Sequence, residues 1–120
     1  MDIRVVIPVH LTALPRIRVS AKACAYCGTA ACIGVIAWRG APALIAIAAI
    51  IPVLIFLQRS RVEAFVVALA YYAAANWPLI SGTFGYFGSS GTVSHALFFW
   101  AVPSLLLPLP WTVCWTSTCP

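Results

Sequence analysis

The chain has 120 residues, 63% hydrophobic and 8% charged, with seven basic and two acidic side chains giving a net charge of +5. Soluble domains carry roughly 25% charged residues, so this composition excludes a water-soluble globule, and a mean hydropathy of +1.03 points to apolar helices that meet lipid. Four spans of about 20 residues would occupy most of the chain and leave no room for a soluble catalytic domain.

Residues 1–22 read as a basic cytoplasmic leader with Asp2, Arg4, Arg16, Arg18 and Lys22, in which Pro8 and Pro15 interrupt any regular helix. A first span is predicted over 23–38, an uncharged run rich in Ala, Cys and Ile that closes at Arg39, Gly40 and Pro42. The leader and this run share the outline of a signal peptide, with Ala41-Pro42-Ala43 as a small-residue site. The basic region is long for that purpose, however, and Trp38-Arg39 falls between the apolar core and the site.

A second span is predicted over 43–57, with Pro52 kinking rather than abolishing it, and is followed by the polar turn Gln58-Arg59-Ser60-Arg61. The third, over 62–77, is Ala-rich and ends at Asn76-Trp77-Pro78, where Trp marks an interface and Pro stops the helix. Residues 78–95 are expected as an outward loop. The fourth span, 96–115, is uncharged, with Trp100, Trp111 and Trp115 along it and Pro103, Pro108 and Pro110 distorting its path; residues 116–120 form a short tail. The expected fold is therefore all-α, a polytopic membrane helix bundle of about four transmembrane helices. Some of these runs are short, and three spans is the alternative count.

The basic residues set an orientation. Four lie in the leader, two at Arg59 and Arg61, one at Arg39 and none between the third and fourth spans. The excess of positive charge on cytoplasmic loops places the N-terminus, the Arg59/Arg61 turn and the C-terminus inside, with Arg39 and residues 81–94 outside. The charges are too thinly spread, and too little interleaved with aromatics, for direct nucleic-acid binding.

Cys24, Cys27 and Cys32 lie close together, and Cys114 and Cys119 lie near the other end. Soft thiolates at the cytoplasmic end of the first span would suit a thiophilic cation, which defines one alternative function, a small metal permease using Cys24 and Cys27. A structural zinc site needs four ligands, and in an Ala-rich apolar run free cysteine behaves as a small hydrophobe, so the three cysteines are expected to be packing residues and no metal or cofactor is assigned. Glu63 follows Arg59 and Arg61 at the start of a helix. The helix dipole favours an acid there and a basic neighbour can pair with it, which makes a topological role the expectation ahead of proton or cation transport. His95, where the outward loop enters the fourth span, is expected to reach headgroups or water; His10 in the leader says less.

Glycine recurs at every third position from Gly82 through Gly85 and Gly88 to Gly91, interleaved with Phe84, Tyr86 and Phe87. No Lys-Ser/Thr pair follows and no soluble strand precedes, so neither the P-loop nor the dinucleotide fingerprint applies. The aromatics suit headgroup depth, and Phe84, Tyr86, Phe87 and His95 are expected to form an interfacial anchor or a surface for a lipid or protein partner.

The sequence also carries a family resemblance. A pair of apolar spans precedes Arg59-Ser60-Arg61, which opens a helix ending Leu69-Ala70-Tyr71-Tyr72-Ala73-Ala74-Ala75. The aromatic-glycine segment from Pro78 to Gly91 follows, and then the run from Ala96-Leu97 to Leu109-Pro110-Trp111. This order resembles the N-terminal membrane portion of TraB conjugal transfer proteins, which are similar in architecture to apolipoprotein N-acyltransferase. The resemblance covers roughly residues 33–115 and implies a role in plasmid transfer at the bacterial inner membrane.

It also implies a nitrilase-like domain with a Glu-Lys-Cys site, in which a carboxylate activates the thiol and an ammonium stabilises the developing oxyanion. The only lysine here is Lys22, the only acid near a span is Glu63, and no polar domain follows Trp115. The expectation is thus a non-catalytic membrane component, a truncated or separately encoded TraB-like part. It would work through helix packing at small residues such as Gly34, Ala43, Ala46, Ala49, Ala70 and Ala74, with itself or with other membrane proteins of a transfer apparatus as partners. An inactive membrane remnant is the third reading.

Overall fold

The computed structural model describes residues 20–116; the leader up to residue 19, with His10, and the tail from residue 117, with Cys119, lie outside the described residues. The described chain is all-α. Its five helices are α1 (Ala21–Ala37), α2 (Pro42–Phe56), α3 (Arg61–Ala75), α4 (Pro78–Ser90) and α5 (Val93–Cys114).

Three starts are set by local chemistry. The Ser20 hydroxyl accepts from the Ala23 N–H, that of Ser60 from the Glu63 N–H and that of Thr92 from the His95 N–H, so each side chain supplies an acceptor that a free helix end lacks. α2 and α4 instead begin at Pro42 and Pro78, where the missing proline N–H costs no helical bond.

Pro52 leaves its mark inside α2. Having no N–H to give Ala48 and a ring that crowds that carbonyl, it is preceded by a tighter 3-10 stretch over Ala46–Ala49, in which the Ile50 N–H reaches Ile47 O; the helix then continues to Phe56. α5 likewise passes Pro103 and is interrupted only at Leu107, between Val93–Leu106 and Pro108–Cys114.

α1 and α3 run parallel. Ser20 lies beside Glu63 at one end, and at the other the Trp38 indole N–H donates to the Tyr71 hydroxyl at 3.1 Å. α2 returns between them, so Lys22, Arg59 and Arg61 share the end where α1 and α3 begin. Arg39 lies at the opposite end with the exposed Trp38 and Trp77.

The α1–α3 seam is built from small residues. Ala23, Ala30 and Ala37, spaced by seven, are completely buried, and Gly34 joins them; α3 meets this stripe with Ala64, Val67, Ala68 and Tyr71, the i, i+3, i+4, i+7 face of a helix. Ile51, Leu54 and Ile55 of α2 complete the core.

α5 is tied to α3 by polar contacts in otherwise apolar surroundings. The Asn76 amide donates to the Ser104 hydroxyl at 3.2 Å, which donates to Trp100 O at 2.7 Å. The Trp100 indole donates to Ala73 O at 2.9 Å and the Trp111 indole to the Tyr72 hydroxyl at 2.9 Å. Trp115, just past the end of α5, is buried in the core, and its indole N–H finds no partner among the described residues.

α5, at 22 residues, is long and apolar enough to cross a membrane, and α3 with α4 meets the same test as a pair bent by 41°. α1 and α2 are shorter apolar helices. The 17 residues of α1 reach about 26 Å at 1.5 Å per residue, a little short of a hydrocarbon core of roughly 30 Å.

One expectation changes. Residues 78–95, expected as a loop, are helical over most of their length, because Pro78 redirects the chain and begins a new helix instead of ending all helical structure.

Candidate functional site

The aromatic residues singled out in the sequence converge where α4 packs against the first half of α5. Two hydroxyls on α4 bond back along their own helix, Ser81 to Pro78 O at 3.0 Å and Thr83 to Leu79 O at 2.6 Å, so this stretch needs no outside polar partner. Beyond Phe87 the chain turns at Gly88, with φ +54° and ψ −129°, while its N–H still donates to Phe84 O. A side chain disfavours that backbone conformation.

Substituting Gly88 by alanine is therefore expected to destabilise the α4–α5 turn by about 1–3 kcal/mol. Gly85→Ala, whose added methyl meets nothing within 4 Å, is expected to be neutral or stabilising by up to about 1 kcal/mol. Thermal unfolding of the two variants side by side in the same detergent checks the contrast.

At the other side of the turn the Thr92 hydroxyl caps α5 and lies 2.9 Å from His95 Nδ1. Phe87 stacks on the His95 ring at a centroid distance of 5.7 Å and on Phe99, one turn further along α5, at 5.9 Å. Tyr86, 85% exposed, meets Phe87 edge-on at 5.0 Å, and Phe84 is also exposed. Of the four expected surface residues, Phe87 and His95 thus form one stack, Tyr86 borders it, and Phe84 packs towards Gly91.

The two helices enclose an apolar groove of about 630 Å³, walled by Leu79, Tyr86, Phe87, Phe98, Phe99 and Val102 among others. Of its two hydroxyls, those of Thr83 and Tyr86, that of Thr83 is already bonded to Leu79 O. The groove offers shape and carbon surface, which suits an apolar ligand or an apolar side chain from a neighbouring helix.

Leu79, Phe98, Phe99 and Val102 were not singled out in the sequence. In a segment apolar on every side, no polar face marks which residues border a groove. Ser104 carried a usable signal, as a lone polar residue in an apolar run, and it proves to be the link between Asn76 and α5.

The cysteines do not gather. Cys24 and Cys32 are exposed and Cys27 half-buried on α1, with Cys32 about 12 Å along the axis from Cys24. Cys114 is exposed at the end of α5. Among the described residues no three His, Cys, Asp or Glu side chains are placed to hold a metal ion.

Glu63 is buried, at 7% exposure, and each carboxylate oxygen accepts from a backbone N–H: Oε1 from Ser20 at 3.2 Å and Oε2 from Arg59 at 3.3 Å. The expected basic partner is present, but through its main chain. Ser60-x-x-Glu63 has the spacing of a capping box, but the acid reaches the N–H of Arg59, one residue before the N-cap, and that of Ser20 in a second chain segment. No protein-family model, no curated protein and no solved structure matches the chain.

Proposed function

We propose that this chain is a non-catalytic, membrane-embedded helical component of a bacterial inner membrane that works by packing against other helices. α1, α2, the bent α3–α4 rod and α5 would be its passes, with the N-terminus on the cytoplasmic side. The observation that carries the proposal is the outer surface of α5, where Leu97, Phe98, Leu105, Leu106, Leu109 and Val113 are all exposed along one 22-residue apolar helix. An apolar surface of that extent calls for lipid or a partner helix.

Two further features support it. The charged end with Lys22, Arg59 and Arg61 is opposite the end with Arg39, Trp38 and Trp77, as charge asymmetry and interfacial tryptophans require of a bundle in a bilayer. Polar groups inside the bundle, such as Asn76 and Ser104, bond one another across helices instead of facing outward.

The α4–α5 groove is the surface we assign to a neighbouring apolar helix or to lipid. The resemblance of residues 33–115 to the membrane part of TraB proteins suggests the setting, conjugal plasmid transfer. In a cell that carries the gene, deletion is expected to lower plasmid transfer frequency and supply in trans to restore it. Unchanged transfer would remove the transfer role and leave a membrane remnant.

A further inference from the structure

Lys22, Arg59 and Arg61 surround the end of the bundle where α1 and α3 both begin. Between the first turn of α1 and the turn linking α2 to α3 lies a cavity of about 160 Å³, bordered by Ser20, Lys22, Tyr26, Gln58, Arg59 and Glu63. Four of the backbone donors nearby are already engaged. Glu63 takes the Ser20 and Arg59 N–H groups, the Ser20 hydroxyl takes that of Ala23, and the Ser60 hydroxyl takes that of Glu63. The charge a ligand would meet comes from the exposed Lys22 and Arg59 side chains, with Arg61 exposed beside them. Glu63 is the one acid at this end among the described residues, and both its oxygens are occupied.

The cavity has an apolar continuation. Leu57 borders it and also borders a trough of about 290 Å³ along α2, formed with Pro52, Val53 and Phe56. A polar recess with excess positive charge thus adjoins, across Leu57, a shallow apolar trough on the surface of α2.

We infer that this recess binds the phosphate of an anionic phospholipid headgroup, with Lys22 and Arg59 as its charged ligands and one acyl chain lying in the α2 trough. The inference rests on the membrane-embedded reading. A free phosphate would leave the trough unused. A zwitterionic lipid would bring an ammonium group to an end whose one acid among the described residues is already engaged, and it gains nothing from the surplus charge. Basic recesses between membrane helices on the cytoplasmic side recognise anionic headgroups in this way, at about a fivefold preference per basic side chain.

The test uses the full chain in a neutral detergent, with the thermal unfolding midpoint followed as phosphatidylglycerol, phosphatidylcholine or inorganic phosphate is added. Phosphatidylglycerol is expected to raise the midpoint, and the other two to leave it unchanged. The Lys22→Gln/Arg59→Gln protein, which keeps the Arg59 N–H bond to Glu63, is expected to need on the order of 25 times more phosphatidylglycerol for the same rise. Lys22→Arg is expected to respond as the native chain does.

An equal response to phosphatidylcholine, a full response to inorganic phosphate, or an unaltered response in the doubly substituted protein would overturn the site. Reconstitution into vesicles of phosphatidylcholine alone or with phosphatidylglycerol separates this failure from that of the membrane reading. Retention in both vesicle types after an alkaline wash, without a phosphatidylglycerol effect, sinks the headgroup site alone. Loss from both vesicle types sinks the two together.

Discussion

Replacing Gly34 by leucine is expected to separate α1 from α3 and to cost about 3 kcal/mol or more, the upper range for overpacking a tight interface. A Cβ added at Gly34 would lie 2.6 Å from Tyr71 O, 3.1 Å from Ala75 N and 3.2 Å from the Ala74 Cβ. The two nearest of these are backbone atoms held in the α3 hydrogen-bond ladder, so a rotamer change cannot relieve the clash. The alanine variant sets an opposing pair of effects, since the same contact must open while helix propensity improves by about 1 kcal/mol. We expect the contact to win, because 2.6 Å is far inside van der Waals distance.

Gly28 is the internal control. It lies in the same helix with nothing within 4 Å of an added Cβ, so Gly28→Ala is expected to be neutral or stabilising. Unfolding in mixed micelles orders the four proteins. A Gly34→Leu variant as stable as the native chain would mean that α1 and α3 do not pack through this seam.

The second large effect is expected at Glu63. Glu63→Ala removes the acceptor for two main-chain donors on two different segments, Ser20 at the head of α1 and Arg59 before α3. Each partly buried N–H left without a partner costs about 1–3 kcal/mol, so a total of about 2–6 kcal/mol is expected. Glu63→Gln keeps one carbonyl acceptor and should fall between the alanine and native proteins. Ser60→Ala removes only the cap of α3 and should cost about 1 kcal/mol. If alanine and glutamine at 63 prove equally harmless, the carboxylate is not the tie between the two helix starts.

These two positions were legible in the sequence to different degrees. Gly34 was among the small residues expected to bring helices together, and so were Ala70 and Ala74. Ala43, Ala46 and Ala49 were named with them, but in the structure they lie exposed on α2, while the fully buried alanines are Ala23, Ala30, Ala37, Ala64 and Ala68. Small residues can be recognised from sequence, but which way they face cannot be when every side of the helix is apolar.

Glu63 was placed correctly at a helix start. Arg59 is the basic neighbour expected beside it, whereas Ser20 is not legible in the sequence, because its nearness to Glu63 depends on α1 and α3 lying parallel, and that contact spans 43 residues of sequence.

The helix limits followed the punctuation of the chain to within a few residues: 23–38 against Ala21–Ala37, 43–57 against Pro42–Phe56, 62–77 against Arg61–Ala75 and 96–115 against Val93–Cys114. The loop expected after Pro78 rests on reading that proline as the end of a helix. Pro78 is in fact a first-turn residue, and Gly82 and Gly85 sit inside a helix that packs its aromatics on α5. Of the candidate surface, Phe87 and His95 could be named from sequence. Their stacking on Phe99 required the turn at Gly88 to fold α4 back on α5.

The central claim is that the helices alternate across a membrane, with the Lys22, Arg59 and Arg61 end inside. Reporter fusions after Arg39, Arg61, Gly91 and Pro120 of the full chain test it most directly. The order outside, inside, outside, inside is predicted. Reporters after Arg39 and Arg61 on the same side would contradict the account, since α2 would then fail to cross and the two charged ends of the bundle could not face opposite compartments.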